Sequence, residues 1–261
     1  MAEQQLMNRR GLKRLIPGFF LAYFLLMPFA SSICLQYVPV TMLMLLACAA
    51  ILKWDRWISD RIGMPCFFVL LGMLTNYFDL LTFPLVALGF PIALLLALRL
   101  KTDDGFFGLF CLTAACGIGW AVGYAGMWAL KWLLVDLISE YSTFYGIFSQ
   151  IFLRMSDNNG EFSRMSVVMR NLDVILSKTS YLLLLGAAGV ITLVPAVKNR
   201  ARFDARAMML LIVAAVPFVW YLVMANHSFD HTYYTYRNLT MSVMAGFAFL
   251  SCCTRESGER L

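Results

Sequence analysis

Charge is what this chain of 261 residues has least of: Asp, Glu, Lys and Arg make up 14% of it, where water-soluble chains carry about a quarter. It holds two histidines, no Walker A run, no dinucleotide-binding glycine fingerprint, no nucleophile elbow and no H-E-x-x-H, so the usual motifs of soluble nucleotide and hydrolase chemistry are missing. Seven cysteines, at 34, 48, 66, 111, 116, 252 and 253, show no metal-ligand spacing and fall within or at the ends of apolar runs. They read as small apolar packing residues rather than as ligands or a secreted disulfide frame. There is no low-complexity tract, and no internal repeat that would argue for an inverted-repeat transporter. What is present is apolar: 61% hydrophobic residues and a mean hydropathy of +0.74, in long uncharged runs separated by short charged clusters. That pattern predicts a multi-pass protein of the cell membrane, a single all-α integral-membrane domain over 1–261, and excludes nucleic acid as a partner.

A hydrocarbon core about 30 Å thick needs roughly 20 apolar residues per helical crossing. The uncharged run from Ile16 to Leu52 is far longer, and Ser31, Ser32, Gln36 and Pro39 near its middle divide it into spans at about 16–33 and 36–52. Met64 to Leu80 and Thr82 to Leu98 make the next two, with Asn76, Asp79 and Pro84 marking the turn. Four more are expected at about 106–128, 180–197, 207–225 and 239–253, eight in all.

Orientation follows from where the basic residues fall. With the N-terminus inside, fifteen of the 21 Lys and Arg lie in inner segments: Arg9 to Arg14, Lys53 to Arg61, Arg99 and Lys101, Lys198 to Arg206, and Arg255 and Arg260. The outer segments hold six, while acidic residues divide almost evenly. This is the positive-inside asymmetry, and it predicts both termini on the cytoplasmic side. The competing reading of the first run is a signal peptide, with Arg9 to Arg14 as its basic region. Its apolar run is too long, and a small-residue cleavage site is lacking.

The segment at about 129–179, outside in this topology, contains two amphipathic patterns. Phe144, Ile147, Phe148, Ile151, Phe152 and Met155 recur at helical spacing. Met165, Val168, Met169, Leu172 and Leu176 repeat it beyond the turn Asp157-Asn158-Asn159-Gly160. Two helices result, either lying in the outer interface or packed over the bundle as a lid. Inside, Trp54-Asp55-Arg56-Trp57 with Asp60-Arg61 reads as a headgroup-depth anchor. Ala115, Gly119 and Gly123 form a small-xxx-small ladder suited to close helix packing within the chain.

Three polar groups stand out, all at outer ends of spans. In Asn76-Tyr77-Phe78-Asp79-Leu80-Leu81-Thr82-Phe83-Pro84 a carboxyl ends an apolar helix. Ionisable groups near membrane depth are costly and often functional, but Asp79 and Thr82 could equally cap the next helix. Both histidines lie in Asn226-His227-Ser228-Phe229-Asp230-His231, one helical turn apart, followed by Tyr233, Tyr234, Tyr236 and Arg237. Imidazoles serve as bases or metal ligands, and an Arg fork suits phosphate. A metal site would need a third ligand, which Asp79 or Asp230 could supply. The plainer reading is an interfacial aromatic belt with a solvated loop. Third, Tyr124, Trp128, Lys131, Trp132, Asp136 and Glu140 offer rings and carboxylates of the kind that bind sugars, or an ordinary interfacial helix.

The stretches Asn76 to Leu85, Gly123 to Trp132 and Asn226 to His231, with Tyr236-Arg237, resemble segments of polytopic cell-envelope proteins similar to the membrane half of GT-C-type glycosyltransferases. The resemblance implies a polyprenyl-phosphate-linked sugar donor used at the outer face, with a catalytic carboxylate in the first outer loop. Here the first outer turn, Ser31 to Pro39, holds no carboxylate, so Asp79 of the second would take that part, or the chain corresponds to a later portion of such a protein. On that reading Asp79, His227, Asp230 and His231 are the catalytic candidates, and Tyr124, Trp128, Lys131, Tyr236 and Arg237 the substrate-binding ones. Membrane lipid is the expected partner, and no cofactor or metal is specified. The rival expectations are a transporter or flippase, which the lack of charge at mid-span disfavours, and a non-catalytic membrane subunit.

Overall fold

The computed structural model describes residues 15–26, 34, 36–79, 81–100, 105–139, 144–198 and 204–252. The protein is all-helical, with no strand among the described residues. The α-helices are α1 (Ile16–Leu25), α2 (Val38–Arg61), α3 (Met64–Phe78), α4 (Leu85–Arg99), α5 (Phe106–Ile138), α6 (Phe144–Met155), α7 (Arg164–Leu176), α8 (Thr179–Lys198), α9 (Met208–Val223), α10 (Ala225–Asp230), α11 (Thr232–Thr235) and α12 (Leu239–Cys252).

A helix therefore lies on each of the eight expected apolar stretches, but fewer are long enough to cross a bilayer unaided. Among the described residues three meet that condition: α2, α5, and α9 with the 3-10 turn Ala205–Ala207 before it. A fourth arises if α7 and α8, bent by 81° where they meet, count as one broken span. α3 and α4 are cut short by the loop between them. α3 ends at Phe78, before Asp79 turns extended, and α4 starts only after Pro84, so its 15 residues cover about 22 Å. α5 departs in the other direction. It passes its expected end at Trp128 and reaches Ile138, because nothing from Ala129 to Leu137 breaks a helix, and its 33 residues extend about 50 Å.

α4 is the hub of the bundle. Every residue from Leu85 to Ala97 is buried, as befits a helix apolar on all sides, and α2, α3, α5, α9 and α12 pack around it. The tightest pair is α3 with α5, which are not neighbours in sequence. Gly72 of α3 lies against the backbone at Trp120 and Tyr124, and Gly119 and Gly123 of α5 lie against Pro65 and Val69 of α3. A Cβ at any of these three would run into partner backbone, so the small-residue ladder is an intramolecular seam.

The two amphipathic helices form as α6 and α7, separated by a turn in which Asn158 and Gly160 have positive φ. Ser163 caps α7 by accepting from the Ser166 N–H. α7 buries Val167, Val168, Asn171 and Ile175 against α9, α10 and α11, while α6 packs on α10. Both therefore cover the histidine-bearing segment between α9 and α12.

Candidate functional site

The polar segments collect at one end of the bundle. α3 delivers Thr75 and Asn76 in its last turn and Asp79 just past its end; Leu81 of the loop that follows meets His227 of α10; and α5 packs along α3 with Trp120, Tyr124 and Lys131. Local cause is visible at each step. Asp79 leaves the helix with extended backbone, and its Oδ1 accepts from the Thr82 N–H at 3.0 Å and from the Thr82 hydroxyl. That closes a tight turn ahead of α4 but does not cap the helix as expected: the N-cap is Pro84, without a side-chain cap, and the Leu85 N–H is met by Asn238 instead. Leu81, inside this turn, has φ +66°, a left-handed conformation costing a non-glycine residue about 1–2 kcal/mol.

What holds Leu81 there is His227. The His227 Nε2–H donates to the Leu81 carbonyl at 2.6 Å; a carbonyl can only accept, so the proton sits on Nε2. Burial pushes the imidazole down to about 4, against a smaller upward pull from that hydrogen bond, so His227 is neutral at physiological pH. His231 lies one turn on, with ring centroids 4.9 Å from His227 and 5.1 Å from Tyr234, on which it stacks. It is half-buried, whereas Asp230 beside it is exposed at the end of α10.

Asp79 is 4% exposed, and its second oxygen, Oδ2, has no hydrogen-bond partner among the described residues. Tyr124, Lys131 and Tyr234 are all close enough to feel its charge. The Lys131 ammonium donates to the Asn76 carbonyl at 2.7 Å and lies 5.6 Å from the Tyr77 ring. Tyr124 stacks on Trp120 at 5.1 Å, and the Trp120 indole N–H reaches the Thr75 hydroxyl at 3.4 Å. Arg154 of α6, which the sequence reading passed over, interacts through its charge with both His227 and Tyr124.

Arg237 is placed differently. It is 5% exposed, and its Nε and Nη1 donate to the carbonyls of Leu26 and Tyr233 at 3.2 and 3.0 Å. Its guanidinium lies 4.8 Å from the Tyr37 ring and 5.0 Å from that of Tyr236. Those contacts make it a brace between α1 and the segment ahead of α12. Tyr236 is a core residue, packed with Tyr221, Val167 and Leu239. Trp128 stays half-exposed and pairs edge-to-face with Trp132 at 6.1 Å.

A second layer fixes the segment from above. Asn171 of α7 donates to the Val167 and Ser228 carbonyls at 3.0 and 3.1 Å and accepts from the Thr235 hydroxyl at 2.8 Å. Asn238 accepts from the Leu85 N–H at 3.2 Å, satisfying one free donor at the start of α4. Both partnerships join residues far apart in sequence, so no local pattern announced them; for Asn171 the one signal was a polar residue in the apolar stripe of α7.

The structure thus brings Asp79, Tyr124, Lys131, His227 and His231 into one neighbourhood, adds Arg154, and leaves Asp230 outside it. Among the described residues no three His, Cys, Asp or Glu side chains gather as a metal site. No family model matches the chain, and neither does any curated protein or solved structure.

Proposed function

We propose that this protein is a multi-pass membrane protein of the cell envelope that transfers a sugar from a polyprenyl-phosphate carrier at the outer face of the membrane. The observation that carries the reading is the Asp79 carboxyl, buried at the end of the bundle with one oxygen unpaired and with Tyr124, Lys131 and the histidine-bearing segment around it. In this reading the chain crosses the bilayer eight times, with both termini cytoplasmic. The short helices α3 and α4 suffice because the loop between them is enclosed by protein, where non-helical backbone at membrane depth is tolerated.

Asp79 is the general base: its free oxygen takes the proton of the acceptor hydroxyl as the acceptor's own oxygen bonds to the anomeric carbon, and the carrier phosphate departs with the bonding electrons. Lys131 and Arg154 face the departing phosphate and stabilise its growing charge. His231 handles protons at the mouth of the site. His227 fixes the Asp79 turn, and Arg237 braces its floor. Trp128 and Tyr124 offer ring faces to the sugar.

The test is sugar transfer from the lipid carrier to acceptor by the reconstituted protein. Asp79→Asn is expected to lower the rate by about 10²-fold or more, and Lys131→Ala with Arg154→Ala to lower it further, while melting in detergent stays near that of the parent. Unchanged transfer in both variants would remove these roles. A non-catalytic subunit is the second reading, favoured by the exposed apolar end of α5 at Leu133, Leu134, Leu137 and Ile138.

A further inference from the structure

The opposite end of the bundle carries a surface that the proposed activity does not use. α2 is a regular helix up to Lys53, burying Met44, Ala47, Cys48 and Ile51 on one stripe, and then breaks at Trp54, where φ is −126° and ψ is +21°. The last turns beyond the break are held by one face only. Asp55 accepts from Arg99 of α4 at 2.9 Å, the same Arg99 nitrogen reaches the Ser59 hydroxyl at 2.8 Å, and Ile58 between them is buried. Positions 55, 58 and 59 adjoin on a helix, so this tether fixes the rotation of the segment.

The other face is then determined. Lys53, Trp54, Arg56, Trp57, Asp60 and Arg61 are all exposed, with Trp54 at 50% and Trp57 at 56%. Lys53 Nζ sits 4.7 Å over the Trp54 ring, so cation and indole occupy the same level. Three cations oppose the one carboxyl of Asp60, since Asp55 is engaged with Arg99. Ile62, exposed just past the helix, adds an apolar group to the same end. Large amphipathic rings beside exposed cations match one chemistry, the boundary between phosphate headgroups and acyl chains.

We infer that the segment 53–62 is an anionic-phospholipid binding surface: Lys53, Arg56 and Arg61 contact lipid phosphates while Trp54, Trp57 and Ile62 enter the acyl boundary beneath them. The break at Trp54 turns the segment out of the direction of α2, and the Asp55–Arg99–Ser59 tether presents its basic face to the leaflet. Charge complementarity commits the occupant to an acidic lipid surface, because a zwitterionic headgroup offers the three cations no net charge to meet.

The test uses the full chain reconstituted in phosphatidylcholine bilayers containing a trace of brominated lipid, of either phosphatidylglycerol or phosphatidylcholine, with quenching of tryptophan fluorescence as the readout. The part of the quenching lost in Trp54→Phe/Trp57→Phe isolates this surface. Brominated phosphatidylglycerol is expected to occupy it about tenfold more readily than brominated phosphatidylcholine, the preference shrinking with added salt. Lys53→Gln/Arg56→Gln/Arg61→Gln should abolish the preference without altering melting, since all three side chains are exposed. Equal quenching by the two lipids in the parent, or a preference that survives the triple substitution, overturns the proposal. So does full competition by millimolar inorganic phosphate, which would reveal a simple anion site.

Discussion

The two ends of the bundle use ionisable residues in opposite ways. At the end formed by the last turns of α2 and α4, charges meet charges: Arg99 with Asp55, and Arg206 with Asp204, while Arg206 also donates to the Leu100 carbonyl. These side chains are about a fifth to a quarter exposed, so water shares their stabilisation. At the other end the ionisable groups bond mainly to backbone. His227 holds the Leu81 carbonyl, Lys131 that of Asn76, and Arg237 those of Leu26 and Tyr233, leaving the buried Asp79 without an ion pair among the described residues. The first arrangement fastens helices together. The second spends its donors on loop shape and leaves one buried carboxyl oxygen unpaired, the feature on which the proposed function rests.

That contrast is broken most sharply by removing Arg237. Arg237→Ala strands two carbonyls and removes a cation from among the Tyr37 and Tyr236 rings, so a destabilisation of about 4 kcal/mol is expected. It should be read as a fall in melting temperature in detergent, with Arg237→Lys rescuing little because an ammonium lacks the fork.

Acid comes next. In the folded protein His227 is held down to about 4, while in the unfolded chain it returns to 6.5. Between those values only the unfolded state takes the proton, so stability is full above 6.5, falls as pH drops toward 4, and is flat below for this group. The loss is about 3 kcal/mol at most. Melting recorded against pH should show it, and His227→Gln should flatten that part of the curve; an unchanged slope in the variant would deny the latch. Leu81→Gly, which relieves the left-handed strain, is expected to recover part of what His227→Ala loses.

The smallest effect belongs to the clasp. Asp55→Asn should cost about 1 kcal/mol or less, and that difference should shrink further at high salt. A loss as large as that of Arg237→Ala would erase the distinction between the two ends.

Much of the helical layout was legible in the residues because lipid imposes a rule on composition: a segment in hydrocarbon must be apolar along its length and satisfy its own backbone, so runs and breaks mark helices directly. The two amphipathic helices were legible too, since Ile147, Ile151 and Val168, Leu172 keep a helical period. Helix ends were less so. The stop of α3 at Phe78 and the late start of α4 depend on the Asp79 turn and on His227, 146 residues beyond the carbonyl it holds. For the site, the sequence pointed to Asp79, His227, His231, Tyr124 and Lys131 as polar residues at outer ends. It could not tell a histidine available for chemistry from one committed to a backbone carbonyl, nor an arginine facing phosphate from one braced among rings, because each distinction rests on a partner in another element.

Sequence alone therefore determined the all-helical class of the molecule and which stretches of it are apolar enough to form membrane helices, since the apolarity of a run needs no particular neighbour. Which helices touch was decided only in three dimensions. Gly72, Gly119 and Gly123 permit close approach, but permission is not choice, and the pairing of α3 with α5 emerges from fitting every helix around α4 at once. The same holds for Arg154 and Asn171, ordinary members of amphipathic helices until packing sets them over the histidine segment. Contacts between distant elements depend on the shapes of all of them together, and no local pattern encodes that sum.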